Sequence, residues 1–558
     1  MRICIVGAGV SGIAAVKACL DEGLEPMAFE RSSDLGGLWR YTDLVDGKAC
    51  VMRTTMMNTS KEMSAFSDFP PPAEYSNFLH NSRVFEYIQA YAERFNLRSS
   101  IRFGTEIVKV RKTSSDPDKW LVAFRPAVGV GNEPGEEQCE TFDAVWVCTG
   151  HHAIPNLPAY PGADSFPGEV LHSHSCRDPL SEKFLDKTVL VIGAGNSAGD
   201  AVVELSHRAR VVYWSTRRGT WVSNRVVDHG WPKDLVLARR YQMWLIRLIG
   251  LRYFRRQLEK SLQSRLDHDL YGLRPAHSPL QQHTFVNDEL PNRLAAGLVK
   301  VRPDVARIDN RCVTFVDGSN VDGVDVIVYG TGYRIDFPFL DSEQFSVSGN
   351  ETRFYKHVFH PSVPSGSLAF IGFVQPLGAT IPIAEAQSRW AARVAKGSCQ
   401  LPPAQDMIED AQQRRRAVAA RFVRSARHTI QVDWIPYMDE LAAEIGCRPP
   451  LLRLLLTDPA LFRAVVFEPC TPYQFRLVGP GAWPGARAAI LGQMDRIRLG
   501  MRGGLSGGFC SEVEHGSDGF LSNSSLLVTA AVATAAVAAS LWLLKRTGAF
   551  SNLIDYHI

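Results

Sequence analysis

Ile3-Cys-Ile-Val6-Gly7-Ala-Gly9-Val-Ser-Gly12, running into the helical stretch Ile13–Leu20, decides how this chain folds. A short apolar strand, a GxGxxG turn and a helix bring backbone N–H groups and the positive end of a helix dipole onto a pyrophosphate. Eighteen residues past Gly12, the apolar run Pro26-Met-Ala-Phe29 ends in Glu30, a carboxylate placed to accept from a ribose hydroxyl. A second such unit follows far downstream. Val189–Ile192 leads into Gly193-Ala-Gly195-Asn196-Ser197-Ala198 and another helical stretch. Its next strand, Val211-Val-Tyr-Trp214, ends in Ser215-Thr216-Arg217-Arg218, where the first unit has an acid. A carboxylate repels a 2′-phosphate, whereas guanidinium groups bind one bidentately. The first site therefore reads as FAD and the second as NADPH.

The chain has 558 residues, too many for one core, so two or three domains are expected. A formal charge of +3 without a polybasic tail gives no reason to expect nucleic acid as a partner. The eleven cysteines are scattered without a CxxC, which argues against zinc sites and against a flavin disulfide reductase. No metal site is expected. Leu526–Leu544 carries no charge and stops at Lys545-Arg546. Nineteen residues make a helix of roughly 28 Å, so a C-terminal membrane anchor is expected, with membrane lipid as a partner. The stretch Leu235–Leu262 mixes Trp244, Leu248, Ile249 and Phe254 with Arg239, Arg240, Arg247, Arg252, Arg255 and Arg256, a composition suited either to a membrane surface or to covering a core.

The expected fold is α/β, with two dinucleotide-binding Rossmann-like domains, the NADPH domain inserted into the FAD domain, plus a C-terminal membrane helix. Val145–Gly150 and Val324–Val328 with Tyr329-Gly-Thr-Gly332 both read as strands ending in a Thr-Gly turn, one leaving the first sheet and one returning to it. The expected boundaries are 1–152 for the first FAD part, 153–323 for NADPH, 324–440 for the second FAD part, 441–501 for an extension, 502–525 for a tether and 526–544 for the anchor.

Between the fingerprints lies Phe166-Pro-Gly168-Glu-Val-Leu-His172-Ser-His-Ser-Cys176. It resembles the FxGxxxHxxx(Y/W) signature of flavin-containing monooxygenases and their Baeyer–Villiger relatives. The animal microsomal enzymes are the nearer match, through Gly36-Gly37-Leu38-Trp39, Asn58-Thr59-Ser-Lys-Glu-Met63, Ser215–Gly219 and Gln375-Pro-Leu-Gly378. Cys176 stands where the signature has an aromatic residue, and Ala198 replaces the third glycine of the second fingerprint.

The resemblance implies that NADPH reduces FAD, that reduced flavin captures O2 as a C4a-hydroperoxide, and that a small-molecule nucleophile with a nitrogen or sulfur atom takes one oxygen. It implies Asn58 as the side chain acting at the flavin, with Gly37, Leu38, Trp39, Thr59 and Gln375 around the cofactors. Phe166, Gly168 and His172 are expected to tie the domains together. It also implies an endoplasmic reticulum location with the catalytic body facing the cytosol. Ketone oxidation and an uncoupled oxidase that releases H2O2 are alternatives the motifs leave open, as is assembly into a homo-oligomer.

Overall fold

A computed structural model describes residues 1–45, 47–127, 135–341 and 343–502. The expected anchor at 526–544, and the tether past residue 502, lie outside the described residues. Among the described residues no helix is long and apolar enough to cross a membrane.

Two five-stranded parallel sheets carry the fold. The first runs in the order Leu368–Phe370, Ala144–Val147, Arg2–Val6, Glu25–Phe29, Ile101–Arg102. The second runs Val299–Arg302, Val211–Ser215, Thr188–Ile192, Val326–Tyr329, Glu169–His172. After their first residues, Arg2 and Thr188, the middle strands are buried apolar runs, as expected for strands covered on both faces. Each sheet is accompanied by a three-stranded antiparallel meander, Thr105–Lys112 with Trp120–Pro126 and Gln138–Phe142 in one case, Val305–Asp309 with Cys312–Phe315 and Asn320–Val321 in the other. In both sheets the glycine-rich turn follows the middle strand, where neighbouring strands run off to either side. That crevice is where open α/β sheets bind ligands.

One expected strand belongs elsewhere. Val326–Tyr329 does not rejoin the first sheet; it pairs in parallel with Thr188–Ile192 and with Glu169–His172 in the second. The first sheet is completed by Leu368–Phe370, which pairs with Ala144–Val147. A buried apolar run fits the middle of either sheet, so its pattern could not choose between them. The crossing comes just after it, where Tyr333–Arg334 pairs antiparallel with Ile154–Pro155. The outgoing and returning connectors thus form a two-stranded ribbon. Within Phe166 to His172, Glu169–His172 is the edge strand of the second sheet.

The amphipathic stretch Leu235–Leu262 falls within three helices, Lys233–Leu237, Arg240–Ile249 and Leu251–Arg265. Gly250, at φ 95°, breaks the last two apart. The residues after 440 are integral to the fold. Arg476 is buried against Glu385 at 2.6 Å and Asp68 at 3.0 Å, and Arg496 pairs with the fully buried Glu62 at 2.8 Å.

Candidate functional site

The first glycine-rich turn is shaped by contacts that only glycine allows. Gly7 has φ 100° and donates its N–H to the Phe29 carbonyl, tying the turn to the neighbouring strand. A Cβ on Gly12 would stand 1.9 Å from the Gly7 carbonyl oxygen, so the helix Val10–Asp21 can start this close to the turn only with glycine there. Gly9 and Gly37 face each other, a Cβ on Gly37 coming within 2.9 Å of the Gly9 Cα. Leu38 and Trp39 complete the short helical turn that begins at Gly37. Glu30 is buried, and its two oxygens accept from the Ala8 N–H at 2.8 Å and from the Ser32 N–H and hydroxyl. The chain thus holds the carboxylate at the strand end with lone pairs to spare for a ribose hydroxyl.

The second turn repeats the plan with its volume redistributed. Gly193, at φ 128°, lies against the Gly330 carbonyl. Ala198 is fully buried, and a Cβ on Gly330 would meet the Ala198 Cβ at 2.4 Å. In the first unit the corresponding strand end bears Cys148, opposite Gly12 at an ordinary 3.7 Å. Each turn therefore has one side chain at this contact, carried by the strand in one unit and by the helix in the other. Alanine fits at position 198 because Gly330 opposite it has no side chain.

Asn196 opens the helix Asn196–Leu205 and accepts from the Val286 N–H at 3.1 Å, so its amide oxygen pins a nearby strand. Ser197 beside it is exposed. Ser215 donates to the Pro303 carbonyl, and the Thr216 N–H to Arg302. Arg217 and Arg218 are exposed, and neither guanidinium has an ion pair among the described residues.

Asn58 is held from across the chain by a residue the sequence reading missed. Arg225 donates from Nε at 3.1 Å and from Nη2 at 2.9 Å to the Asn58 Oδ1. An arginine can only donate, so this contact sets which way the amide faces and leaves its NH2 as the remaining donor. Next to it Thr59 shares a 2.7 Å hydrogen bond with Ser64, and Ser60 gives its N–H and hydroxyl to Asp234. Arg225 and Asp234 lie between the second unit's strands, so this insertion clamps a loop of the first unit. No local pattern links residues 58 and 225.

Gln375 begins a short strand paired with Gln431–Asp433, and its Oε1 accepts from Gln431 at 2.7 Å. Gln431 also bonds His283. The preceding residue of this segment that matters is Gly372, where a Cβ would meet the Ser11 hydroxyl at 2.2 Å, so the segment lies on the start of the first fingerprint helix.

His172 ends the edge strand. Its Nδ1 accepts from the His174 N–H at 3.0 Å, and its ring stands edge-on to Tyr333, 5.2 Å away on the returning connector. His152, on the outgoing connector, packs on the same tyrosine at 4.9 Å. Burial pushes the His172 imidazole down to about 4 and His152 well below its ordinary value, so both are neutral at pH 7. Phe166 is buried in the second unit's core, and Gly168 lies under its ring and against the Asp325 carbonyl. Cys176 is buried with Val189, Val191 and Phe184, its thiol pushed up to about 12. It takes a buried core position where an aromatic residue was expected. Among the described residues no cluster of His, Cys, Asp or Glu could hold a metal ion.

The family model described as flavin-binding monooxygenase-like matches residues 1–529. The chain is 45% identical over 502 residues to flavin-containing monooxygenase 5 of Mus musculus, covering 89% of this chain and 92% of that one. It is 42% identical over 501 residues to dimethylaniline monooxygenase [N-oxide-forming] 2 of Rattus norvegicus, with the same coverage of 89% and 92%. Among solved structures, S-allyl-L-cysteine S-oxygenase from Allium sativum superposes with a TM-score of 0.59 at 26% identity, over 83% of this chain and 92% of that one. An NADP-bound steroid monooxygenase shares the fold with a TM-score of 0.58 at 16% identity, over 80% and 98%. With two glycine-rich cradles in the expected order and relatives along nearly nine-tenths of its length, the chain belongs to the flavin-containing monooxygenases and is an FAD- and NADPH-dependent monooxygenase.

Proposed function

We propose that this enzyme oxygenates soft nucleophiles, small molecules bearing an exposed nitrogen or sulfur atom, with Asn58 acting at the flavin. The observation that carries the proposal is the Arg225–Asn58 contact, which fixes a neutral amide with its NH2 free to donate. FAD, when bound and reduced by NADPH, would supply the oxygen chemistry, in which one atom of O2 goes to the substrate and the other to water. The chain's own part is to hold and shield. Gly7, Gly9, Gly12, Gly37, Leu38, Trp39 and Glu30 would seat FAD, whereas Gly193, Gly195, Asn196 and Ser197 would seat the NADPH pyrophosphate and Ser215–Arg218 its 2′-phosphate. A neutral amide stabilises a developing negative charge without adding one of its own. His172, neutral and packed on Tyr333, joins the second sheet to the returning connector, a positioning role rather than acid–base work.

The test is anaerobic reduction by NADPH followed by O2, in the presence of a thioether or, separately, a cyclic ketone. Sulfoxide formed in step with NADPH consumed supports the proposal. Lactone from the ketone with no sulfoxide would replace it by ketone oxidation, and H2O2 equal to NADPH would replace it by an oxidase.

We further propose that the helices Arg240–Ile249 and Leu251–Arg265 lie on a membrane surface at the endoplasmic reticulum. Trp244, Leu248, Ile249 and Tyr253 are exposed there beside exposed Arg247, Arg252 and Arg256, whereas Arg240 turns inward to pair with Asp439 at 2.6 Å. Apolar groups with flanking cations suit the interface of an anionic bilayer. Retained binding to anionic vesicles after removal of residues 503–558 supports this. Loss of all binding refutes it.

A further inference from the structure

Over the second glycine-rich turn sits a cation that neither fingerprint contains. Arg427 lies in the short helical turn Ala426–His428, 232 residues beyond Gly195, where the Ser425 hydroxyl accepts its N–H. Its guanidinium comes so close to Gly195 that a Cβ there would stand 3.1 Å from Nη1, 3.3 Å from Cζ and 3.5 Å from Nη2. Gly195 is the N-cap of the ten-residue helix Asn196–Leu205, with no side chain capping the free N–H groups. A positive side chain therefore faces the positive end of a helix, which is unfavourable unless an anion lies between or beside them.

The surroundings supply no such anion. The Arg427 guanidinium makes no hydrogen bond or ion pair among the described residues. Burial alone pulls it down, to about 10. The groups that feel its charge, His152, His283 and His428, are held neutral by burial, and no acid acts on any of them. Arg218 and Arg421 add to the same positive field at His428 and His283 respectively. A partly buried charge left this way is costly unless a ligand completes it.

We propose that Arg427 is a ligand of the NADPH pyrophosphate, reaching from the second FAD part onto the glycine-rich turn of the NADPH domain. The proposal rests on the second turn being the NADPH site. Arg427 then supplies, by a planar fork, the charge that the turn's backbone donors lack. Its placement also connects the cofactor to the flavin side. The Arg427 carbonyl accepts from Gln431 at 3.4 Å, and Gln431 bonds both Gln375 and His283. Arg427 is a binding residue here and has no place in oxygen transfer itself.

The test uses FAD-loaded full-length protein and calorimetric titration with three probes. NADP+ and 2′-phospho-ADP-ribose carry the pyrophosphate, and adenosine 2′-monophosphate lacks it. Arg427→Met should weaken the first two by about 10- to 100-fold, the equivalent of a charge-assisted hydrogen bond, and leave the third unchanged. Arg217→Ala with Arg218→Ala should weaken all three. Unchanged binding of 2′-phospho-ADP-ribose by Arg427→Met, with the double variant weakened, overturns the Arg427 proposal alone. No binding of any probe by the unmodified enzyme overturns the reading of the site. If Arg427→Met fails to retain FAD, Arg427→Lys carries the test, since it keeps the charge and loses the fork. It should weaken the two pyrophosphate probes by a smaller factor, and equal binding of all three would refute the proposal.

Discussion

The contact between Ala198 and Gly330 predicts a pair of substitutions whose combined cost is less than the sum of the two single costs. Gly330→Ala would put a Cβ 2.4 Å from the Ala198 Cβ, 2.7 Å from its Cα and 3.1 Å from its N. Carbon atoms pack at about 3.5–4.0 Å, so the strand end and the helix must part by about 1 Å. The atoms met are helix backbone, which cannot turn aside, so the cost belongs near the top of the overpacking range of about 1–3 kcal/mol. The backbone at 330 is not in the left-handed region, so alanine itself is acceptable there. Ala198→Gly removes a buried methyl, about 0.8 kcal/mol, and adds about 1 kcal/mol of helix propensity loss. In the double variant the 2.4 Å contact with the Ala198 Cβ is gone while the Cα at 2.7 Å remains, so the combined loss falls below the sum of about 5 kcal/mol without the strain vanishing. The assay is thermal release of FAD followed by flavin fluorescence, with NADP+ titration as the local readout. The double variant should lose less than the two single losses added together, in melting temperature and in NADP+ affinity alike. Additive losses would refute the idea that this one contact sets alanine's tolerance. Gly12→Ala is the control, because its clash is with the Gly7 carbonyl, which no second substitution can remove.

Three further outcomes are expected. Arg225→Met should leave FAD content intact yet lower kcat/KM on the order of tenfold or more, with a matching rise in H2O2 per NADPH, since it frees the Asn58 amide to turn; unchanged coupling counts against its orienting role. Burial pushes the Asp200 carboxyl up to about 7 from the ordinary 3.8, against the pull of Arg225, so the folded protein keeps a proton that the unfolded chain releases between these values. Stability therefore falls as pH rises through that window, and Asp200→Asn should gain melting temperature over wild type at pH 8 but not at pH 4, as read by the same FAD-release assay. Arg476→Met leaves Glu385 buried without its ion-pair partner and takes from Asp68 one of its two cations, Lys17 at 2.9 Å being the other, and should cost about 3–5 kcal/mol, whereas Arg476→Met with Glu385→Gln should recover part of that loss in the same melts.

Both glycine-rich turns, Glu30 and the strands leading into them were legible because each depends on residues a few positions apart, where glycine's conformations and strand periodicity act directly. What was not legible depends on distance along the chain. Val326–Tyr329 reads as a buried strand, but which sheet it joins is settled by partners at Thr188–Ile192 and Glu169–His172. The orientation of Asn58 rests on Arg225, and the anionic demand at Gly195 rests on Arg427. Both are arginines that in sequence look like any solvated cation.

The two halves also differ in charge in a way that follows from their cofactors. Both cofactors bring a pyrophosphate, and NADPH brings a further phosphate of roughly −1.5 to −2 on the adenosine ribose. The first turn answers a modest charge with backbone donors and a helix end, and can place the Glu30 carboxylate beside the ribose without penalty. The second must answer about twice that charge. Under the proposed assignment it would do so with Arg217 and Arg218 at one phosphate and Arg427 at the other, none of them neutralised by an acid among the described residues. Losing any one of the three should therefore weaken NADPH relative to NADH only where the 2′-phosphate is touched. Arg427→Met would weaken both nucleotides alike, and Arg217→Ala with Arg218→Ala would weaken NADPH far more than NADH. A reversal of that pattern would mean that the cations had been assigned to the wrong phosphates.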